Sequence, residues 1–150
     1  MDIVIFYDGL CEPKNPGGCG CWGYVLWLGT KKQITDYGSL GNPEWMTNNY
    51  SEFCSLGFAL KALLDMNLQH IDSLTILGDS MLVAKQISGK WKIKSELLKP
   101  LHAKCLEYID KLPVTDWVAR WIPRWTNEPA DELGRKAYDE CSKENSKKGE

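Results

Sequence analysis

The sequence is poor in histidine, has no long apolar run and has no surplus of positive charge. Its 150 residues include only two histidines, and the one close cysteine pair, Cys19 and Cys21, has no further cysteine or histidine at ligand spacing. A zinc site is therefore not expected, because structural zinc needs about four such ligands. No apolar run approaches the ~18 residues that a membrane helix needs, so we expect no membrane partner.

Positive charge is also not in excess. Lys and Arg number 18 against 20 Asp and Glu, and the resulting net charge of −2, taken alone, argues against a nucleic-acid partner. Hydrophobic residues make up 43% and charged residues 25%, which is typical of a globular protein and excludes a disordered or collagen-like chain. The length is that of one domain. Nothing in the sequence indicates an oligomer, so we expect a monomer.

The six cysteines are expected to be free thiols. Met1 and Asp2 lead directly into an apolar run, without the pattern of an export signal. Cysteines in the reducing cytoplasm stay unpaired, and cytoplasmic is the expected localisation. The cysteines are Cys11, Cys19, Cys21, Cys54, Cys105 and Cys141.

Apolar periodicity predicts the element order β-β-β-α-β-α-α-β-α. Strands at 3–7, 22–28 and 33–38 have short connections, which predicts an antiparallel meander. Helical spacing follows at 49–66, 80–87, 95–112 and 127–141, with buried strands at 73–79 and 117–122. This alternation predicts an α/β fold with a mixed five-stranded sheet flanked by helices. Residues 1–141 are predicted to form a single domain, and residues 142–150 a polar, frayed tail.

Four acidic residues lie where predicted elements begin or end. Asp8 and Asp79 follow the first and fourth strands, and Glu52 and Asp131 lie in the first turns of two helices. Taken singly, each is more simply explained as a turn or helix-end residue. However, parallel strands end at one sheet edge, and carboxylates that meet there repel each other unless a cation neutralises them. Four acids at one edge therefore favour a magnesium-type site.

Four motifs, occurring in this order, resemble those of the type 1 ribonuclease H family. The first is Tyr7-Asp8-Gly9 with Asn15-Pro16-Gly17-Gly18 and Gly20-x-Trp22-Gly23, and the second is Thr47-Asn48-Asn49-Tyr50-Ser51-Glu52. The third is Asp79-Ser80-x-Leu82-Val83, and the fourth is Pro123-Arg124 with Asn127-Glu128-x-Ala130-Asp131-Glu132-Leu133. The motifs cover almost the whole chain, and each falls on the matching type of element.

The resemblance implies a ribonuclease H-like fold and an endoribonuclease that hydrolyses the RNA strand of RNA/DNA hybrids, leaving 5′-phosphate and 3′-hydroxyl ends. It implies that Asp8, Glu52, Asp79 and Asp131 are catalytic residues that hold two Mg²⁺ ions, with Mn²⁺ as a substitute, for a two-metal-ion mechanism. Asp8 would be the most central acid and Asp131 the most tolerant of change. The expected partner is an RNA/DNA hybrid duplex, in spite of the net charge.

Uncharged side chains near the acids are candidates for nucleic-acid contact. They offer the donors and acceptors that a ribose 2′-hydroxyl needs, although turn or cap roles would also explain them. These candidates are Asn15, Thr47, Asn48 and Asn49. The segment Lys90-Trp91-Lys92 places an aromatic ring among lysines, which suits a groove for a nucleic-acid backbone, although a solvated face explains it equally well.

The sequence departs from the family pattern at two positions, and two alternative functions remain open. Many relatives carry a histidine in the loop before the last acid, where this chain has Arg124, and Leu10 stands where a small residue is more usual. One alternative is a non-catalytic nucleic-acid-binding module of the same fold, which the intact acids argue against. The other is a related nuclease or transposase core, which the Asn-Pro-Gly and Thr-Asn-Asn motifs argue against. A dinucleotide-binding fingerprint, Gly18-x-Gly20-x-x-Gly23, is rejected because a strand rather than a helix follows it.

Overall fold

A computed structural model describes the backbone of residues 1–148 and the side chains of residues 1–144. The strands are β1 (Asp2–Glu12), β2 (Cys19–Leu28), β3 (Lys32–Ser39), β4 (Ser73–Gly78) and β5 (Trp117–Trp121). The helices are α1 (Asn48–Asp65), α2 (Met81–Ile87), α3 (Lys99–Lys111) and α4 (Glu128–Lys148), and a 3-10 turn, Arg124–Thr126, precedes α4. The predicted element order is confirmed over the described residues.

The strands form one mixed sheet with the order β3-β2-β1-β4-β5. Strands β1, β2 and β3 pair in antiparallel fashion, and β4 and β5 run parallel to β1. This is the predicted arrangement of an antiparallel meander extended by parallel strands. Because β1 lies in the centre, its residues can meet groups from both halves of the sheet.

Helices cover both faces of the sheet. On one face, α1 packs its buried stripe of Phe53, Leu56 and Leu60 against β1 residues such as Ile3 and Ile5, and α3 packs on α1. On the other face, α4 lies across β2, β1 and β3. Burial of these apolar side chains is the main stabilising term, worth about 1.5–3 kcal/mol for each large residue.

Strand β1 extends further than predicted. It was expected to end at Asp8-Gly9, but it continues to Glu12 because β2 pairs with it along its whole length, as far as Glu12 opposite Cys19. The parallel pairing with β4, in contrast, ends at Tyr7 opposite Gly78. Asp8 is therefore a residue in the middle of a strand, and it lies one position beyond the end of the β1–β4 pairing.

The ends of the helices are set by local hydrogen bonds. The Thr47 hydroxyl caps α1 by accepting from the Tyr50 amide at 3.1 Å. Helix α3 begins at Lys99, not at the predicted Ser95, because the Ser95 hydroxyl accepts from the Leu98 amide in a separate turn and Pro100 occupies the first helical turn.

Helix α4 reaches Lys148, beyond its predicted end at Cys141. The tail predicted to be frayed, residues 142–150, thus lies partly on this helix and partly outside the described residues. The boundary between a domain at 1–141 and a tail stays a prediction.

The expectation of six free thiols is wrong in one respect. A disulfide joins Cys19 on β2 to Cys141 on α4, over a sequence separation of 122 residues. The fold brings these two positions together, which spacing along the chain could not reveal. The free cysteines are Cys11, Cys21, Cys54 and Cys105, and three of these four are buried.

Within the described residues, no helix combines the length and the apolar character needed to cross a membrane.

Candidate active site

Three carboxylates from three separate elements meet at the edge of the β1–β4 pairing. Asp8 comes from β1, Glu52 from α1, and Asp79 directly follows β4. One carboxylate oxygen from each lies within 4.8 Å of the other two. Asp8 and Glu52 are each only 4% exposed. The predicted juxtaposition of these three acids is therefore confirmed.

The close approach of β1 to α1 depends on a glycine. A Cβ atom added to Gly9 would lie 2.3 Å from the backbone nitrogen of Glu52, closer than any real contact. One turn further along α1, the buried Ser55 hydroxyl accepts from the Asp8 amide at 3.3 Å and donates to the Gly23 carbonyl at 2.6 Å. These contacts fix the Asp8 backbone against the helix that carries Glu52. The sequence reasoning did not single out Ser55, although its spacing from Glu52 puts both residues on one helix face.

A buried amide, also not assigned a role from the sequence, holds Asp79. Asn127 is fully buried, and its Nδ2 donates to the Tyr7 carbonyl at 2.9 Å and to Asp79 Oδ2 at 3.4 Å. Its own Oδ1 has no hydrogen-bond partner among the described atoms. Asn127 precedes α4 and links the carboxyl end of β4 to the strand that carries Asp8. It belongs to the fourth motif, but only its burial reveals this role.

Asp131 lies beside the three clustered acids rather than among them. Its Oδ1 is 3.3 Å from Nη2 of Arg124, with which it forms an ion pair. It is still near enough for its charge to raise the pKa of Asp8 and of Asp79. Arg124 also lines the cavity of the acid cluster, so the loop that lacks histidine brings a permanent positive charge to the site.

The clustered acids resist ionisation. Burial, with the nearby charge of Asp79 as the next cause, raises the pKa of Asp8 to about 8. Burial likewise raises the pKa of Glu52 well above its ordinary value, with Asp8 as the next cause. Burial is also the main cause that raises the pKa of Asp79, while the Asn127 amide opposes that rise. All three shifts express the cost of holding negative charge in this site.

These residues fit a divalent cation. Buried carboxylates that destabilise each other when charged are the oxygen donors that a hard cation binds. In addition, Glu52 Oε2 is buried without a hydrogen-bond partner among the described atoms, and this leaves a ligand oxygen available.

The uncharged candidates divide between two neighbouring cavities. Asn15 and Asn48 line the acid cavity, which measures about 370 Å³, and the Asn15 Nδ2 donates to Asn48 Oδ1 at 2.7 Å. Through this contact, the loop after β1 is held to the start of α1.

The other candidates line a second groove of about 700 Å³ on the far side of the α1 N-terminus. It contains Thr47, Asn49, Lys90, Trp91 and Lys92. The Trp91 ring is 46% exposed, so one of its surfaces is open to solvent. The structure thus places all seven predicted contact residues along two cavities that both border the start of α1, whereas their role in binding stays a prediction.

Comparison with known proteins identifies the family. A sequence model of the family described as reverse transcriptase-like matches residues 28–137. The chain is 32% identical to the Ribonuclease HI of Halobacterium salinarum over 93% of its length, and it spans 65% of that protein. It is 31% identical to the Ribonuclease H of Polynucleobacter asymbioticus over 87% of its length, spanning 83% of that protein.

The chain belongs to the type 1 ribonuclease H family. A solved structure of LC11-RNase H1 in complex with an RNA/DNA hybrid superposes with a TM-score of 0.80 at 27% identity, covering 93% of this chain and 99% of the other. The ribonuclease H family depends on a divalent metal, and among the described residues the cluster of Asp8, Glu52 and Asp79 could hold it. The chain spans about two thirds of the length of its halobacterial ribonuclease H relative.

Proposed function

We propose that this protein is an endoribonuclease that hydrolyses the RNA strand of RNA/DNA hybrids and leaves 5′-phosphate and 3′-hydroxyl ends. The observation that carries the proposal is the cluster of Asp8, Glu52 and Asp79, whose ligand oxygens lie within 4.8 Å of one another in an open cavity. A non-catalytic binding module would gain nothing from such a cluster, because carboxylates repel phosphate. The named relatives and the hybrid complex of LC11-RNase H1 support the choice of substrate.

Asp8, Glu52, Asp79 and Asp131 would together hold two divalent ions, with Mg²⁺ as the natural metal and Mn²⁺ as a substitute. When bound, two such ions activate the attacking water and stabilise the leaving oxygen of a phosphodiester. Asp8 would be the most central ligand, since it comes from the strand that pairs with β4 and packs against α1. Asp131 is the most tolerant of change, since its charge is already shared with Arg124.

The remaining residues would orient the hybrid. Asn15 and Asn48 border the acid cavity, where their amides can donate to and accept from a ribose 2′-hydroxyl, a group that only the RNA strand has. Thr47, Asn49 and the segment Lys90-Trp91-Lys92 border the second groove, where cations and an exposed ring suit the other strand.

We further propose that the protein acts as a monomer in the cytoplasm. Four of the six cysteines are free thiols, which fits a reducing compartment, whereas the Cys19–Cys141 disulfide is of a kind more common in oxidising ones. Size-exclusion chromatography coupled to light scattering measures the molar mass in solution and so tests whether the protein is a monomer.

The deciding experiment incubates a hybrid, labelled on its RNA strand, with and without Mg²⁺ or Mn²⁺, alongside duplex RNA and duplex DNA. We expect metal-dependent cuts in the RNA strand of the hybrid. The Asp79→Asn variant should lose at least about 100-fold in rate, while Asp110→Asn, which changes an exposed acid on α3, should keep the parent rate. Intact RNA in the presence of both metals would refute the proposed activity. Equal cutting of duplex DNA would instead favour a related nuclease core.

A further inference from the structure

A groove outside the two cavities described above runs between α2 and β5. Its volume is about 670 Å³, within the range of pockets that accept small organic molecules such as a nucleotide. The walls combine large apolar side chains, among them Met81, Trp117 and Trp121, with three cations, Lys85, Lys90 and Arg120. No acidic side chain lines it.

The cations of this groove are not neutralised within the protein. Among residues 1–144, whose side chains the structure describes, Lys85, Lys90 and Arg120 take part in none of the ion pairs. In contrast, Lys61, Lys104 and Lys111 each have a carboxylate partner three or four residues away on the same helix. Three unpaired cations around one groove, in a chain of net charge −2, produce a local positive potential that attracts an anionic partner.

One end of the groove lies beside the acid cluster. The Trp121 indole Nε1 donates to the Asp79 carbonyl at 3.1 Å, so the ring is anchored directly beside the acid cluster. Despite this anchor, Trp121 remains 44% exposed, and Met81 on the facing helix is 40% exposed. An aromatic ring that is held at its edge and open on its surface is suited to stack against a flat base.

Lys90 connects this groove to the groove of Trp91. Its side chain lines both, because the turn after α2 folds back so that the Lys90 amide donates to the Lys85 carbonyl at 2.9 Å. A positively charged path therefore continues around the end of α2.

We infer that the groove between α2 and β5 binds a single-stranded segment of nucleic acid that extends from the hybrid beside the acid cluster. This inference rests on the proposed function and adds a second substrate preference, for hybrids with an overhang over blunt ones. Cations contact the phosphates, and Trp121 stacks on a base. Both RNA and DNA overhangs have this chemistry, so the experiment includes both.

The test measures binding by fluorescence anisotropy in the Asp8→Asn background with Mg²⁺, where cutting is not expected. The probes are one blunt hybrid and four hybrids with a 5′ or 3′ overhang of DNA or RNA. We expect at least one overhang to bind about tenfold more tightly than the blunt hybrid. The double variant Lys85→Ala/Arg120→Ala should abolish this gain and change affinity for the blunt hybrid by less than twofold. For the overhanging hybrid, the slope of the logarithm of the binding constant against the logarithm of the salt concentration should become shallower by about 1.4. This is because two contacts with single-strand phosphates are lost.

The control is Lys31→Ala/Lys32→Ala, which removes two exposed cations at the opposite edge of the sheet, beside and on β3. It should leave the overhang preference intact. Lys85→Gln/Arg120→Gln, which keeps long side chains, should behave like the alanine pair. If the protein binds blunt and overhanging hybrids with equal affinity, the inference is overturned. It is also overturned if Lys85→Ala/Arg120→Ala lowers the affinity for both kinds of hybrid by the same factor. Metal-dependent cutting of the blunt hybrid by the parent protein, measured in parallel, separates such a failure from a failure of the proposed function.

Discussion

At the scale of single residues, the acid cluster stores mutual repulsion that a bound cation would relieve. Asp8 is buried beside Asp79, and its pKa of about 8 lies far above that of an aspartate in an unfolded chain. A shift of this kind has a consequence for stability, because the folded and unfolded states then bind different numbers of protons.

We predict that the metal-free protein becomes less stable as the pH rises from about 4 to about 8. In this range the unfolded chain has lost the Asp8 proton while the folded protein keeps it, so each increase in pH favours unfolding. The free energy of unfolding should fall by up to about 1.4 kcal/mol per pH unit for this group. Thermal unfolding in EDTA at several pH values measures the effect, and Asp8→Asn should reduce the fall of the unfolding free energy with pH. Asp110→Asn serves as the control and should keep that fall. A parent protein whose unfolding free energy does not change with pH would contradict the prediction.

Asn127 is predicted to position Asp79 rather than only to stabilise the fold. Asn127→Ala removes the amide group that donates to the Tyr7 carbonyl and to Asp79. The loss of these two hydrogen bonds should cost about 1–3 kcal/mol of stability. It should also raise the Mg²⁺ concentration needed for half-maximal cutting several-fold, since Asp79 loses its orientation. Asn42→Ala, at an exposed loop position, should change neither quantity. A loss of stability with an unchanged metal requirement would leave Asn127 with a structural role alone.

At the scale of elements, the site depends on how closely β1 passes the start of α1. Periodicity predicts that a strand and a helix exist at these positions. It also predicts Glu52 in the first turn of the helix, which is wrong, because α1 begins at Asn48 and Glu52 is its fifth residue. It does not predict that β1 continues past Asp8 to Glu12, because that extension is stabilised by the pairing with β2, a contact between distant residues. The acids still meet, since the parallel pairing with β4 ends at Tyr7.

The Gly9→Ala variant should test this close approach. The added methyl would overlap the Glu52 backbone at 2.3 Å, so α1 must shift, at a cost of at least about 1–3 kcal/mol and a marked loss of cutting. Gly57→Ala on the same helix is the matched control, because its nearest neighbour would be the Cys105 sulfur at an ordinary 3.8 Å. That variant should gain about 0.5–1 kcal/mol from helix propensity. Denaturant unfolding measures both, and equal stabilities for the two variants would contradict the prediction.

At the scale of the whole molecule, the disulfide ties the antiparallel half of the sheet to the C-terminal helix. Cys19 lies on β2 and Cys141 on α4, the helix that covers β2 and begins beside the acid cluster. A cross-link between residues so far apart along the chain mainly restricts the unfolded state, and loops of this length correspond to at most about 4–5 kcal/mol.

We therefore predict that a reductant lowers the thermal midpoint of the parent protein. Cys141→Ser should show the lower midpoint in both oxidised and reduced buffers, because no cross-link can form. The control is Cys54→Ser, which changes a free cysteine and should keep the response to reductant. Thermal unfolding followed by circular dichroism supplies the midpoints. A parent midpoint that is the same with and without reductant would indicate that the disulfide does not contribute to stability.

The sequence by itself determined the order of the elements and the mixed sheet, and it predicted the acids of the site, because these follow from periodicity and from short motifs that need only local residues. The tertiary structure decided what depends on contacts between distant segments. Asn127 and Ser55 act through burial, Arg124 through its ion pair with Asp131, and Cys19 through its position opposite Cys141. The groove between α2 and β5 likewise exists only after two remote segments pack together. The charge of the protein is likewise set at two levels. The net charge of −2 follows from the composition, whereas the separation of an acidic cavity from cationic grooves follows from the fold.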